Sequence, residues 1–339
     1  MAKIDIHTLA EVLNISTSTV SRAFRNTNDI NPETRKRILE KAAELNYQPN
    51  HYASNLREQK SKTIAVIIPE LANNYFSQII QGVEKVAKTA GYHILIFVTD
   101  DDIQKEREFM RSLSNGRVDG VVMSASGEAT DHSYLNNIES FGFPLILFDR
   151  IYEEVGVPKI ITDDYNSSYH ATQHLIDNGC ERIAYLVVNK EQSIGKTRMQ
   201  GYVDALKKNR IPIRKRLIVD CTNSYEENAV IIEHMIEVNH PDGILASVER
   251  LAFSTYQVCQ SMKLQIPQDI KIAAFSSLEI ASLLNPPLTT IKQPAIKIGE
   301  KAASLLLEKL ADENPKQTHQ EFVLESELMI RDSSLKGSY

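Results

Sequence analysis

Along this chain the apolar positions fall first at helical spacing and then into short, strand-like runs. Ile6, Leu9, Ala10 and Leu13 recur at i, i+3, i+4 and i+7, which is one face of a helix. Asn14 and Ile15 supply a turn, and Ser16 is placed to cap a second helix by accepting a backbone N–H. In that second helix Val20, Ala23 and Phe24 face inward, while Thr17, Ser18, Ser21 and Arg22 share the outward face. A third helix is expected from Asn31 as cap, with Pro32 in its first position and Ile38, Ala42 and Leu45 lining one side up to Tyr47. These elements predict a small all-α head of helix, short turn, helix, helix.

From Thr63 the pattern changes. Apolar runs at 64–68, 94–98, 120–123, 144–148, 183–188, 217–219, 243–246 and 270–275 alternate with helical patterns at 76–90, 104–114, 134–141, 198–208, 227–238 and 251–262. Near-continuous apolar strands between helices indicate parallel sheets covered on both faces. One sheet would be crowded, so the pattern predicts two α/β lobes. The chain would cross between them near Asp163 and Thr290, and a long helix at 295–310 would return to the first lobe. The piece between head and core can form about two helical turns around Ala53 and Leu56, marginal alone in water. It is therefore expected to be conditional, ordering only against a partner.

Composition narrows the classes. The chain has 339 residues, 42% hydrophobic and 24% charged, enough for two or three domains of a soluble globular protein. It has no apolar run of about 18 residues and no charged leader ahead of an apolar stretch. A cytoplasmic protein with no membrane association is therefore expected. The net charge of −6 is uneven: residues 1–60 carry nine Lys/Arg against seven Asp/Glu, and the remainder 29 against 37. An acidic body with a mildly basic head suits contact with nucleic acid through one small module. The excess is modest, and chance scatter would also give it.

Catalytic and metal chemistry finds little support. Cys180, Cys221 and Cys259 are far apart, without CxxC or histidine spacing, so no metal site is expected. Asp100, Asp101 and Asp102 suit a loop and helix N-terminus. Gly195-Lys196-Thr197 resembles the end of a phosphate loop, but Lys190 stands where the upstream glycine would be. His170 and His174 are one turn apart and lack a third ligand. No nucleophile–base pair is evident, so neither an enzyme nor a cofactor is expected.

Several segments carry a family resemblance when taken in order. They are Leu9-Ala10, Ser16 to Arg22, Pro32-Glu33-Thr34-Arg35, Asn46 to Asn50, Thr63 to Pro69, Tyr75-Phe76, Val118-Asp119-Gly120, Asp149-Arg150, Arg198, and Pro286 to Pro294. The chain resembles the LacI/GalR family of transcriptional regulators over almost its whole length. The resemblance implies a helix-turn-helix DNA-binding domain at 1–48, a hinge helix and linker at 49–62, and a periplasmic-binding-protein-like core at 63–339 for effector binding and dimerisation. Lobe 1 would hold about 63–163 and 291–320, and lobe 2 about 164–290 and 321–332, with a final strand at 322–330 finishing the sheets. No leucine heptad follows, so a homodimer on palindromic operator DNA is the expected form.

On the second helix, Thr17, Ser18 and Arg22 are the candidates for reading base edges. Arginine bonds guanine O6 and N7 bidentately, and Ser or Thr accepts several partners. The resemblance gives Thr17 and Ser18 the positions that set operator choice; a merely solvated polar face is the alternative. Thr8, Ser16, Thr19, Ser21, Asn26 and Arg35 suit phosphates, which position a protein without reading sequence. In the hinge, the resemblance makes Leu56 a minor-groove wedge beside Ala53 and Arg57. Packing against Tyr52 or Ala53 is the other reading of Leu56.

In the core, Tyr75 and Phe76 follow the first strand, where aromatics stack on a sugar or base ring or else pair in the core. Asp149 and Arg198 are an opposed carboxylate and guanidinium able to bracket hydroxyls, with Gln293 on the return crossing. The resemblance implies a small polar effector between the lobes, a sugar first. Two departures bear on that. Val248-Glu249 stands where many members have Asn-Asp, and Ser276-Ser277 where many have an aspartate. Glu249 and Ser276 are expected on the other wall; either Glu249 substitutes as a longer carboxylate or the ligand is different. The reading is a sequence-specific repressor controlled by a small molecule in carbohydrate metabolism. The alternatives are the same DNA role with a protein or non-sugar co-regulator, and a soluble ligand-binding protein, against which the head argues.

Overall fold

The computed structural model describes residues 4–24, 30–47, 60–127, 132–188, 190–312 and 320–336. The chain divides into two units, residues 1–61 and 62–339. In the first, α1 (Ile6–Leu13), α2 (Thr17–Phe24) and α3 (Pro32–Glu44) enclose Leu9, Ala10, Val20, Ala23, Ile38, Ala42 and Tyr47. Asp5 caps α1 by accepting the Thr8 N–H at 2.8 Å. Asn14 ends the helix at φ 53°, a left-handed conformation that asparagine tolerates. Asn31 caps α3, and Pro32 sits in its first turn as expected. Phe24 and Tyr47 meet edge-on at 5.7 Å, closing the small core.

The second unit holds two six-stranded sheets. The first runs β11-β5-β4-β3-β1-β2, built from β1 (Thr63–Ile68), β2 (His93–Val98), β3 (Gly120–Met123), β4 (Leu145–Phe148), β5 (Lys159–Thr162) and β11 (Glu321–Leu324). The second runs β12-β10-β9-β8-β6-β7, from β6 (Ile183–Val187), β7 (Ile218–Asp220), β8 (Gly243–Ala246), β9 (Lys271–Phe275), β10 (Thr289–Lys292) and β12 (Glu327–Met329). The order is the same in both, and every pairing is parallel except β10 with β12. Helices α4 (Asn74–Thr89), α5 (Ile103–Leu113) and α10 (Ala295–Ala311) belong to the first lobe. Helices α6 (Asp164–Asp177), α7 (Ser193–Lys208), α8 (Tyr225–Asn239) and α9 (Glu249–Ser261) belong to the second. Each sheet is sandwiched between two apolar clusters.

The backbones of paired helices come close in both lobes. A Cβ built on Gly82 of α4 would lie 2.2 Å from the Ile296 carbonyl oxygen of α10, and one on Gly299 of α10 would lie 2.0 Å from that of Ile79. In the second lobe a Cβ on Gly201 of α7 would lie 2.3 Å from the Tyr165 carbonyl of α6. Glycine is required because the helices touch backbone to backbone.

The structure corrects three expectations and adds two elements. The lobe boundaries drawn from sequence shift. Residues 321–324 form β11 of the first sheet, not the second, and β10 keeps the second lobe going to Lys292. The final strand at 322–330 is two strands, one for each sheet. The helix expected at 134–141 is two 3-10 turns, Ser133–Leu135 and Ile138–Phe141. Finally, β5 and α6 were not legible as a strand and helix, because β5 is four residues long and begins with a lysine.

Candidate ligand cleft and nucleic-acid interface

On α2, Ser18 and Arg22 are exposed one turn apart, and Thr17 and Ser21 beside them are half-buried. The Ser16 hydroxyl accepts the Thr19 N–H at 3.2 Å and lies 2.8 Å from the hydroxyls of Ser18 and Thr19. Among the described residues Arg22 makes one long contact, Nε to the Ser18 carbonyl at 3.4 Å. Thr8 donates its hydroxyl to Asp5 at 2.9 Å. Arg35 is half-buried and donates Nε to the Ala23 carbonyl at 3.1 Å, so it also braces the end of α2. Asn26, Ala53, Leu56 and Arg57 lie outside the described residues.

In the core, a solvent-open cleft lies where the strands of both sheets end. Its walls are loops that follow β1, β4, β6, β8, β9 and β10, the carboxyl ends where ligands of open α/β sheets collect. Asn73 caps α4 by accepting the Tyr75 N–H at 3.0 Å, which fixes the aromatic pair at the helix start. The Tyr75 hydroxyl donates to Asp149 Oδ1 at 2.9 Å. Gln293 bridges to the Tyr75 oxygen at 3.4 Å and to Thr162 Oγ1 at 3.1 Å. Phe76 meets Tyr75 edge-on at 5.4 Å and is 2% exposed, so it is both core and cleft lining.

Asp149 has φ 59°, a strained backbone for a non-glycine residue and one that concentrates at functional sites. Burial pushes its carboxyl above the ordinary range, against the pull of Arg150 and Arg198. Burial, and then that carboxylate, push the Tyr75 phenol well up, so it stays a donor.

Opposite, Arg198 of α7 donates Nε to Asp164 Oδ1 and Nη1 to the Ser247 carbonyl, each at 2.6 Å. Its guanidinium carbon is 3.7 Å from the centroid of the Phe275 ring. Burial opposes its charge, but Asp164 and then Asp149 more than offset that and raise its pKa. Sequence reading set Arg198 against Asp149; both line the cleft, but the ion pair is made with Asp164, which that reading missed. The signal was present as an acidic pair, Asp163-Asp164, just after the apolar Ile160-Ile161.

Glu249 opens α9 and accepts the Ser276 hydroxyl at 3.0 Å; burial pushes its carboxyl up. Arg250 pairs with Glu70 across the mouth of the cleft. Asn74 and Gln78 of the first lobe donate to the Ser277 carbonyl at 3.2 and 3.1 Å. The structure thus brings Tyr75, Phe76, Asp149, Arg198, Glu249, Ser276 and Gln293 to one cleft. Among the described residues no group of three or more His, Cys, Asp or Glu side chains is placed to hold a metal, and no helix is long and apolar enough to cross a membrane.

A helix-turn-helix head on a two-lobed α/β core with a polar cleft defines the class of ligand-responsive DNA-binding regulators. Family comparison agrees. Residues 5–50 match the bacterial regulatory proteins of the lacI family, and residues 61–327 match the periplasmic binding proteins and sugar binding domain of the LacI family. The chain belongs to the LacI family of bacterial transcriptional regulators. It is similar to the ribose operon repressor of Haemophilus influenzae, with 29% identity over 327 residues, 96% of this chain and 97% of that one. It is equally similar to the repressor PurR of Photobacterium profundum, 29% over 329 residues, covering 97% and 98%. Its fold matches the lac repressor dimer bound to operator, with TM-score 0.86 and 22% identity over 98% of this chain and 99% of that one. A LacI-family regulator from Enterococcus faecium with bound ribose matches at TM-score 0.72 and 25% identity, over 81% of this chain and all of that one.

Proposed function

We propose that this protein is a homodimeric repressor that binds a palindromic operator and is controlled by a small polar effector, a sugar, held between the lobes. The observation that carries this reading is the cleft itself. It sets a buried guanidinium and carboxylates at the strand ends of a core joined to a helix-turn-helix head. Thr17, Ser18 and Arg22 would read base edges; Thr8, Ser16, Thr19, Ser21, Asn26 and Arg35 would hold phosphates. Leu56, beside Ala53 and Arg57, would wedge into the minor groove at the operator centre. Tyr75, Phe76, Asp149, Arg198, Glu249, Ser276 and Gln293 would contact the effector.

Relatives support the sugar reading: the Haemophilus protein is a ribose operon repressor, and the Enterococcus structure holds ribose. The protein acts by binding, in the cytoplasm, and effector binding shifts a population between two lobe arrangements that favour and disfavour DNA. The boundaries we assign are 1–48 for the DNA-binding domain and 49–62 for the hinge.

Selection from a random DNA pool tests this reading. The expected product is a two-fold motif with half-sites about one helical turn, roughly 10 bp, apart. Leu56→Ala should weaken binding to that motif without unfolding the core. An unsymmetrical motif, or none, would contradict the proposal.

A further inference from the structure

The densest positive charge of the chain lies outside the DNA-binding head. Lys207, Lys208, Arg210, Arg214, Lys215 and Arg216 follow closely on one another, and no Asp or Glu occurs between Asp204 and Asp220. The surrounding core has the opposite sign: residues 61–339 hold 29 Lys/Arg against 37 Asp/Glu. A basic block of this density is a candidate surface for an anionic partner.

The fold puts the run on the outside of the second lobe. It starts in the last turn of α7 and passes through a 3-10 turn, Lys215–Leu217, into β7, the edge strand of the second sheet. Arg210 turns the chain out just past the helix at φ 58°, where glycine would be free of strain. Ile211 and Leu217 anchor the run from beneath, one on each apolar cluster of the lobe. Around and between these anchors Arg210, Pro212, Ile213, Lys215 and Arg216 are exposed, and Ile213 keeps 39% of its surface in solvent. Lys207 is engaged by Asp204 at 3.0 Å, and Lys208 lies 5.5 Å from the centroid of the Tyr169 ring. Arg210, Lys215 and Arg216 make no ion pair among the described residues.

We propose that this patch docks an acidic segment of another protein, one that also carries apolar side chains. Cations on a segment anchored at two points are presented to carboxylates, which arginine takes bidentately. Pro212 and Ile213 in the middle offer an apolar contact that a phosphate backbone has no use for. A long polyanion would also lie along the acidic surplus of the surrounding core. A short acidic segment is confined to the patch, because salt screens exposed charges beyond about 8–10 Å. Duplex DNA is therefore the weaker fit. Each exposed charge pair contributes little, so the contact is weak, salt-sensitive and suited to a transient partner. None of these residues lines the cleft, so docking here is separable from effector binding.

The test is fluorescence anisotropy of a short labelled peptide of alternating Glu and Leu, titrated with the full chain while excess selected operator duplex occupies the heads. The parent should bind the peptide, less tightly as salt is added. The triple variant Arg210→Gln, Lys215→Gln, Arg216→Gln should bind about tenfold more weakly, the loss expected for three exposed charge pairs together, with melting unchanged. Ile213→Ser should weaken binding about threefold, and a peptide of alternating Glu and Ser should bind the parent less tightly than the Leu peptide. Equal binding to the parent and the triple variant, or no binding to either, would overturn the proposal. Equal binding of the Leu and Ser peptides would overturn its apolar part. A labelled non-operator duplex that binds the operator-saturated chain tighter than the peptide, and is lost in the triple variant, would make the patch a nucleic-acid contact instead.

Discussion

Arg198 and Asp164 form an ion pair at 2.6 Å in which the two side chains are only 5% and 7% exposed. The guanidinium lies on the Phe275 ring and also donates to the Ser247 carbonyl. Its position in the cleft is therefore fixed by the second lobe before any ligand arrives.

Removing one partner of a buried pair leaves the other charge uncompensated. Asp164→Asn should cost about 3–5 kcal/mol of stability in urea unfolding. A loss below about 1 kcal/mol would mean that solvent reaches the guanidinium and that the pair does not anchor it.

Close helix contact sets a second expectation. Gly82→Ala would put a methyl 2.2 Å from the Ile296 carbonyl, and neither backbone moves cheaply. The variant should lose about 1–3 kcal/mol, read as a lowered melting temperature. Gly299→Ala acts on the same α4–α10 crossing, so the double variant should lose less than the sum of the two. Additive losses would show that the two sites are independent.

These two cases mark what the sequence disclosed. The helix-turn-helix, the alternation of strands and helices and most cleft positions were legible, because each rests on a local pattern: periodicity, a capping residue, or a loop after an apolar strand. Asp164 was not legible as the Arg198 partner. They are 34 positions apart, and the pairing exists only because α6 and α7 pack together. The assignment of Glu321–Leu324 to the first sheet was hidden for the same reason, since β11 pairs with β5 across much of the chain. The need for glycine at Gly82 is likewise a property of a helix crossing, not of the local sequence.

On α2, Arg22 is exposed, and among the described residues its one hydrogen bond is the long contact to the Ser18 carbonyl. Arg22→Ala should lower the preference for the selected operator over random DNA by about 1–3 kcal/mol, measured by competition binding. Equal loss of affinity for both DNAs would make Arg22 a phosphate contact instead.

A pH dependence follows from Glu106, which has no exposed surface. It accepts the Ser126 N–H at 2.6 Å, the Tyr152 hydroxyl at 2.8 Å and the Tyr134 hydroxyl. Burial outweighs these donors and raises its pKa above 4.5. The folded chain then holds a proton that the unfolded chain releases. The Glu106 contribution to stability is greatest below the unfolded pKa and is lost as pH rises from there through the folded value. Relative to Glu106→Gln, the parent should lose stability as pH rises from about 4.5 towards neutrality. A difference that is flat or grows the other way would mean that the donors outweigh burial.

The most direct test of the account is fluorescence anisotropy of the full chain on its selected DNA duplex, titrated with free sugars. At least one sugar should shift the apparent Kd by about 5–150-fold, the range of allosteric coupling, and Arg198→Ala should abolish that shift. A Kd that no sugar moves, or a shift that survives intact in Arg198→Ala, would contradict it.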